Sequence, residues 1–167
     1  MRREQFVKIT RETRAFVQRG AWAWFLLKAP TYVCAAIYGL ALAWMALTRD
    51  GRIVRFALVP AATFTWATLL RRTIDRPRPY DALRFEPVGA AQRGKGRSLP
   101  SRHTASAAAI AFAMVYAYPG RGMAALMTAL CALVALSRVA RGVHYPSDIA
   151  AALVLAAACA AVGFGMR

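Results

Sequence analysis

Apolar residues in this chain come in long runs separated by basic clusters. Five runs stand out, at 31–48 (TYVCAAIYGLALAWMALT), 53–70, 104–119, 122–138 and 148–166. Several are short for a hydrocarbon layer about 30 Å thick. Five in succession, joined by short or basic connections, still read better as membrane spans than as buried helices of a soluble bundle. The small residues of SAAAIAFA and AAALVLAAACAA suit the close helix contacts that lipid-embedded packing relies on. The pattern predicts an all-α fold, a multi-pass transmembrane helical bundle of about five spans. Pro60 predicts a kink in the second.

Residues 1–20 behave differently. Phe6, Ile9, Phe16 and Val17 recur at near-helical spacing among six basic residues, which predicts an amphipathic helix lying on the membrane surface. The stretch has no uninterrupted apolar core and no small-residue cleavage site, so it does not read as a signal peptide. AWAWFLLKAP follows, with Trp22 and Trp24 suited to an interfacial belt and Pro30 to a break. The division is an interfacial segment over 1–29 and the helical bundle over 30–167.

Charge sharpens this picture. The 167 residues are 59% hydrophobic, yet carry 23 Lys and Arg against 7 Asp and Glu, a net charge of +16. The basic residues lie between apolar runs and form no nucleic-acid module, so anionic lipid headgroups and phosphate-bearing substrates are the expected partners and nucleic acid is not. Cys34, Cys131 and Cys159 sit in apolar runs and read as small buried hydrophobes.

If each run crosses once, the 71–103 and 138–148 connections fall on one face. Three polar stretches meet there: RRTIDRPRPY with Arg71, Arg72, Arg76 and Arg78; LPSRHTAS over 99–106; and SRVARGVHYPSD over 137–148. Both histidines of the chain, His103 and His144, belong to this set. Arginines that stay charged suit a phosphoryl group and its crowded transition state. The helix that Pro100-Ser101 opens adds free backbone N–H groups. Two histidines supply a nucleophile and a proton donor for a leaving oxygen. His144 and Asp148 are four apart, close to one helical turn, so Asp148 can accept the proton-bearing ring nitrogen and leave the other free. Two histidines with three cysteines in apolar runs make no metal-ligand cluster, and no metal or other cofactor is expected.

These stretches resemble the type 2 phosphatidic acid phosphatase superfamily, which includes bacterial lipid phosphatases and the vanadium haloperoxidases. Its pattern is K-x6-R-P, P-S-G-H and S-R-x5-H-x3-D. Here Arg71 through Arg78-Pro79 carries Arg for Lys, and Pro100-Ser101-Arg102-His103 carries Arg for Gly. Ser137-Arg138, His144 and Asp148 match in full. The resemblance implies a phosphohistidine at His144, orientation of its ring by Asp148, and proton transfer by His103. It also implies phosphate binding by Arg71, Arg78, Arg138, Ser101 and the backbone N–H of Arg102. The Arg102 side chain is expected to contact a second phosphate, favouring diphosphate lipids.

The expected activity is hydrolysis of a lipid phosphate or diphosphate: undecaprenyl diphosphate foremost, with phosphatidylglycerol phosphate and phosphatidate in the same class. The alternatives are a non-catalytic anionic-lipid-binding membrane subunit and a vanadate-dependent peroxidase using the same pocket. The expected location is the cell (inner) membrane. With five spans the N-terminus shares the site's face, and that face holds all the basic residues except Arg49, Arg52, Arg55, Arg121 and Arg167. The positive-inside rule then points to the cytoplasm.

Overall fold

The computed structural model describes residues 3–89 and 96–165. Arg2, Arg93, Lys95 and Arg167, counted in the charge balance, lie outside them. The described residues form helices α1 (Arg3–Val17), α2 (Ala21–Leu47), α3 (Ile53–Ile74), the single turn α4 (Pro79–Ala82), α5 (Arg102–Ala117), α6 (Arg121–Ala140) and α7 (Pro146–Phe164), with no strand among them.

Five long helices thus follow α1, as the apolar runs predict. By length and composition, α2, α3, α6 and α7 can each cross a membrane. The fifth, α5, has 16 residues, about 24 Å at 1.5 Å per residue, which is less than the hydrocarbon layer. It occupies the centre, against α3, α6, α7 and α2. Alanine makes this possible. Ala105, Ala109 and Ala113 are fully buried, and Ala107, Ala108 and Ala117 nearly so, so neighbours approach its backbone from several sides. Leu40, Trp44 and Leu47 of α2, Leu58 and Trp66 of α3, and Val154 and Val162 of α7 are all more than half exposed. So much outward apolar surface is a face for lipid.

One proline expectation needs revision. Pro30 does not break the chain: α2 runs unbroken through it for 27 residues. Pro60 lies inside α3 without ending it. A proline removes one backbone hydrogen bond, but ending the helix in an apolar environment would leave several more groups unpaired. Continuity wins. Trp24 at the start of α2 sits beside Gly89 and Arg141. Two thirds of the way along it, Tyr38 donates to the carbonyl of Phe56, in the first turn of α3, at 3.0 Å. The segment therefore makes one pass.

The N-terminal helix is amphipathic, but its key apolar residue faces protein rather than lipid. Phe6 is fully buried, stacked on Phe85 at 5.8 Å and edge-on to Tyr145 at 5.6 Å. Arg3 Nε donates to the Leu83 carbonyl at 2.9 Å, and Arg14 pairs with Glu86 at 3.2 Å. The aromatic residues after α4 and before α7 give Phe6 a better partner than the lipid surface. At the opposite end of the bundle, Arg52 pairs with Asp50 at 2.7 Å and donates to the Ala117 carbonyl at 2.8 Å.

Candidate active site

The site lies at the end where α3 and α6 finish and α5 and α7 begin. Asp75 ends α3 in a left-handed conformation, and an extended segment leads to Arg78, the N-cap of α4. The chain returns past Gly96, whose φ is +44°; a Cβ there would lie 2.7 Å from Asp75 Oδ1, so a side chain would strain the backbone and displace the Asp75 carboxylate. Ser98 N–H then donates to the Arg76 carbonyl at 2.8 Å, joining the two limbs of the connection.

Gly142 makes the corresponding turn after α6. Its φ is +70°, and a Cβ would meet Thr10 of α1 at 2.6 Å and Phe85 at 2.7 Å. Two residues on, His144 is 3% exposed. Its Nδ1 lies 3.4 Å from Asp148 Oδ2 and 3.5 Å from Ser98 Oγ.

The two residues do not share a helical turn, as their spacing suggests. His144 precedes the N-cap Tyr145, Pro146 opens α7, and Asp148 is its third residue. From there the fully buried carboxylate reaches back, accepting Tyr145 N–H at 2.8 Å, the Ser98 hydroxyl, and Arg76 Nη1 at 3.0 Å. Burial pushes the His144 pKa below its ordinary value; the Asp148 hydrogen bond and charge pull it back up, while Arg78 and Arg71 oppose protonation. The net direction is down. The ring is therefore neutral at neutral pH, with its proton on the Asp148 side and Nε2 carrying the lone pair. Arg76 stands in the first polar stretch and Ser98 just before the second, and neither residue type nor spacing assigns either of them a role.

Arg71 and Arg138 are each 7% exposed. Among the described residues neither has a carboxylate within ion-pairing distance. Arg71 Nη1 is 3.4 Å from the Pro100 carbonyl. Arg138 Nη2 donates to Thr31 Oγ1 at 3.0 Å, while its Nε is buried without a partner. Arg78 Nε is 3.4 Å from the Gly96 carbonyl. Arg78, Arg97 and Arg102 lie close enough to Arg71 for mutual repulsion. Burial and Arg78 hold the Arg141 guanidinium below its ordinary pKa. Buried cations at one end of the bundle, with the Asp148 carboxylate already engaged by other partners, suit a multiply charged anion.

On the α5 side, Ser101 is the N-cap and is fully buried. Its hydroxyl accepts from Thr104 Oγ1 at 3.1 Å and Thr104 N–H at 3.5 Å, so it is committed to the helix end. The Arg102 guanidinium leans over Phe64 at 5.7 Å. Arg102 and His103 line a cleft of about 230 Å³ with Thr31, Cys34, Phe64 and Ile110. His103 is exposed, within electrostatic reach of Arg138 and His144. All eight residues singled out in the sequence thus gather at one end of the bundle, Ser101 as a cap and Arg102 along the cleft. No group of three His, Cys, Asp or Glu among the described residues could hold a metal ion.

Two solved structures share this fold. One is a transmembrane PAP2-type phosphatidylglycerolphosphate phosphatase from Bacillus subtilis, with a TM-score of 0.70 and 21% identity over 97% of this chain and 84% of that one. The other is LpxE from Aquifex aeolicus, with a TM-score of 0.73 and 20% identity over 98% and 94%. No match is found among curated proteins. The family model for the PAP2 superfamily matches residues 52–167. That match takes in all three polar stretches of the site, and the chain belongs to the PAP2 superfamily.

Proposed function

We propose that this protein is a metal-independent phosphatase of membrane lipid phosphates that works through a phosphohistidine. The observation that carries the reading is the buried His144–Asp148 pair beside Arg71, Arg78 and Arg138, none of which pairs with a carboxylate among the described residues. In the first step Nε2 of His144 attacks phosphorus, and the bond from phosphorus to the lipid oxygen breaks. His103 protonates that oxygen as it leaves. In the second step water attacks the phosphohistidine, His103 takes its proton, and inorganic phosphate departs with His144 restored. Arg71, Arg78 and Arg138 offset the charge on the phosphoryl oxygens, together with N–H groups of the first turn of α5. Asp148 holds the His144 tautomer.

The substrate is a lipid phosphate or diphosphate, undecaprenyl diphosphate foremost. Phosphatidylglycerol phosphate and phosphatidate belong to the same class, the former being what the Bacillus subtilis relative is named for. Arg102, a further cation beside His103, supports a diphosphate. The apolar side chains of the cleft suit the start of a lipid tail. The excess of Lys and Arg on the site's face favours the cytoplasmic side of the cell membrane.

The test is phosphate release by detergent-purified protein from those three lipids without added metal. His144→Ala should lower release by at least about a thousandfold, and wild-type protein should retain acid-labile label from a radioactive phosphoryl donor. Release that survives His144→Ala, or no release from any of the three, overturns the reading.

A further inference from the structure

Asp148 has more partners than a histidine-orienting carboxylate requires, and two of them trace to one residue outside the family pattern. Arg76 Nη1 donates to Asp148 Oδ1 at 3.0 Å and to Ser147 Oγ at 2.8 Å, while the guanidinium carbon lies 4.2 Å from the centre of the Tyr145 ring. The main-chain carbonyl of the same residue accepts the Ser98 N–H at 2.8 Å. Ser98 donates its hydroxyl to the other oxygen of Asp148 and sits 3.5 Å from His144 Nδ1.

We infer that Arg76 is a positioning residue for the reaction at His144, its side chain fixing Asp148 and its main chain fixing Ser98, so that one residue holds both groups on the Nδ1 side of the ring.

The inference rests on the phosphatase reading only in taking His144 as the reacting group. Arg76 is well placed for this task and poorly placed to bind substrate. Its Nη1 is committed to α7 and its face to Tyr145, which Phe6 of α1 meets edge-on. Nη1 alone reaches both Ser147 and Asp148 while the planar guanidinium lies over the Tyr145 ring; an ammonium could make the bonds but not keep the flat stacking that fixes their direction. The remaining oxygen of Asp148 stays directed at His144, so Nδ1 keeps its proton and Nε2 its lone pair. The other charged groups around His144 are Arg71 of α3, Arg78 before α4, and His103 of α5. None of them bonds Asp148 among the described residues.

The chain has only two histidines, which makes the test direct. Full-length protein labelled with ¹⁵N in the histidine rings is compared in detergent as wild type, Arg76→Gln, Arg76→Lys and Ser147→Ala, with His103→Asn used for assignment. Wild type should show His144 in the single tautomer protonated at Nδ1. Arg76→Gln should show a mixture and lose between about tenfold and a hundredfold in kcat, with KM for the lipid within about twofold. Arg76→Lys should recover part of both. Ser147 is exposed, so Ser147→Ala keeps the fold and should shift the tautomer ratio less but in the same direction.

A rise in KM with kcat and tautomer unchanged would make Arg76 a substrate-binding residue and end the proposal, as would an unaltered His144 spectrum in both Arg76→Gln and Ser147→Ala. A spectral change in Arg76→Gln with wild-type protein inactive on every lipid would leave the positioning role standing and refute the phosphatase reading.

Discussion

The two histidines stand at one end of one bundle and are held in opposite ways. His144 is nearly sealed, and its Nδ1 is fixed by a carboxylate that itself has Ser98, Arg76 and Tyr145 as partners. His103 is exposed on a cleft wall and has no hydrogen-bond partner among the described residues. The contrast fits what the proposed mechanism asks of each. A nucleophile must present one nitrogen, in one tautomer, to a phosphorus atom whose position the arginines set. A proton donor must follow an oxygen whose position depends on the lipid. Rigid support serves the first task and freedom to turn serves the second.

The comparison breaks most visibly at His103. His103→Ala should slow release from a lipid phosphate by about a hundredfold or more. An aryl phosphate with an acidic leaving phenol needs no proton, and its hydrolysis should fall by less than about tenfold. Equal losses on both substrates would remove His103 from the donor role.

A smaller effect sharpens the His144 side. Burial lowers its pKa from 6.5, so the ring stays neutral, and able to attack, in acid where a free imidazole would already be charged. The acidic limb of kcat/KM, which reports the free enzyme, should therefore lie below pH 6.5, with activity lost as pH falls through that limb. A limb at or above that pH would contradict the sealed environment. Smallest of the three, Arg102→Gly should reduce the preference for diphosphate over monophosphate lipid a few-fold while leaving the monophosphate rate in place. An unchanged preference would leave Arg102 as a wall of the cleft only.

Much of this arrangement was legible in the chain. Helices repeat their apolar pattern locally, so the runs gave α2, α3, α5, α6 and α7 to within a few residues, apart from the start of α2 and the end of α3. The spacing of Ser137, Arg138, His144 and Asp148 gave the centre of the site. What stayed hidden depends on how chain segments return to one another. Ser98 reaches Asp148 because Gly96 turns the connection back on Asp75, and Arg76 reaches it because the segment before α4 is extended. Neither contact leaves a local periodicity. The path through Pro30 was misread because proline's local preference was weighed without the cost of unpaired backbone in lipid. Phe6 looked like a lipid-facing residue because only the folded chain brings Phe85 and Tyr145 beneath it.

The docking of α1 has a consequence for topology. Phe6 against Tyr145 and Thr10 against Gly142 tie the first helix to the loop that carries His144. The compartment that sees the first helix is thus the compartment in which the His144 loop lies. A membrane-impermeant label or a compartment-specific reporter attached ahead of Arg3 would read out, in intact cells, the leaflet from which the site draws its lipid, without any measurement of turnover.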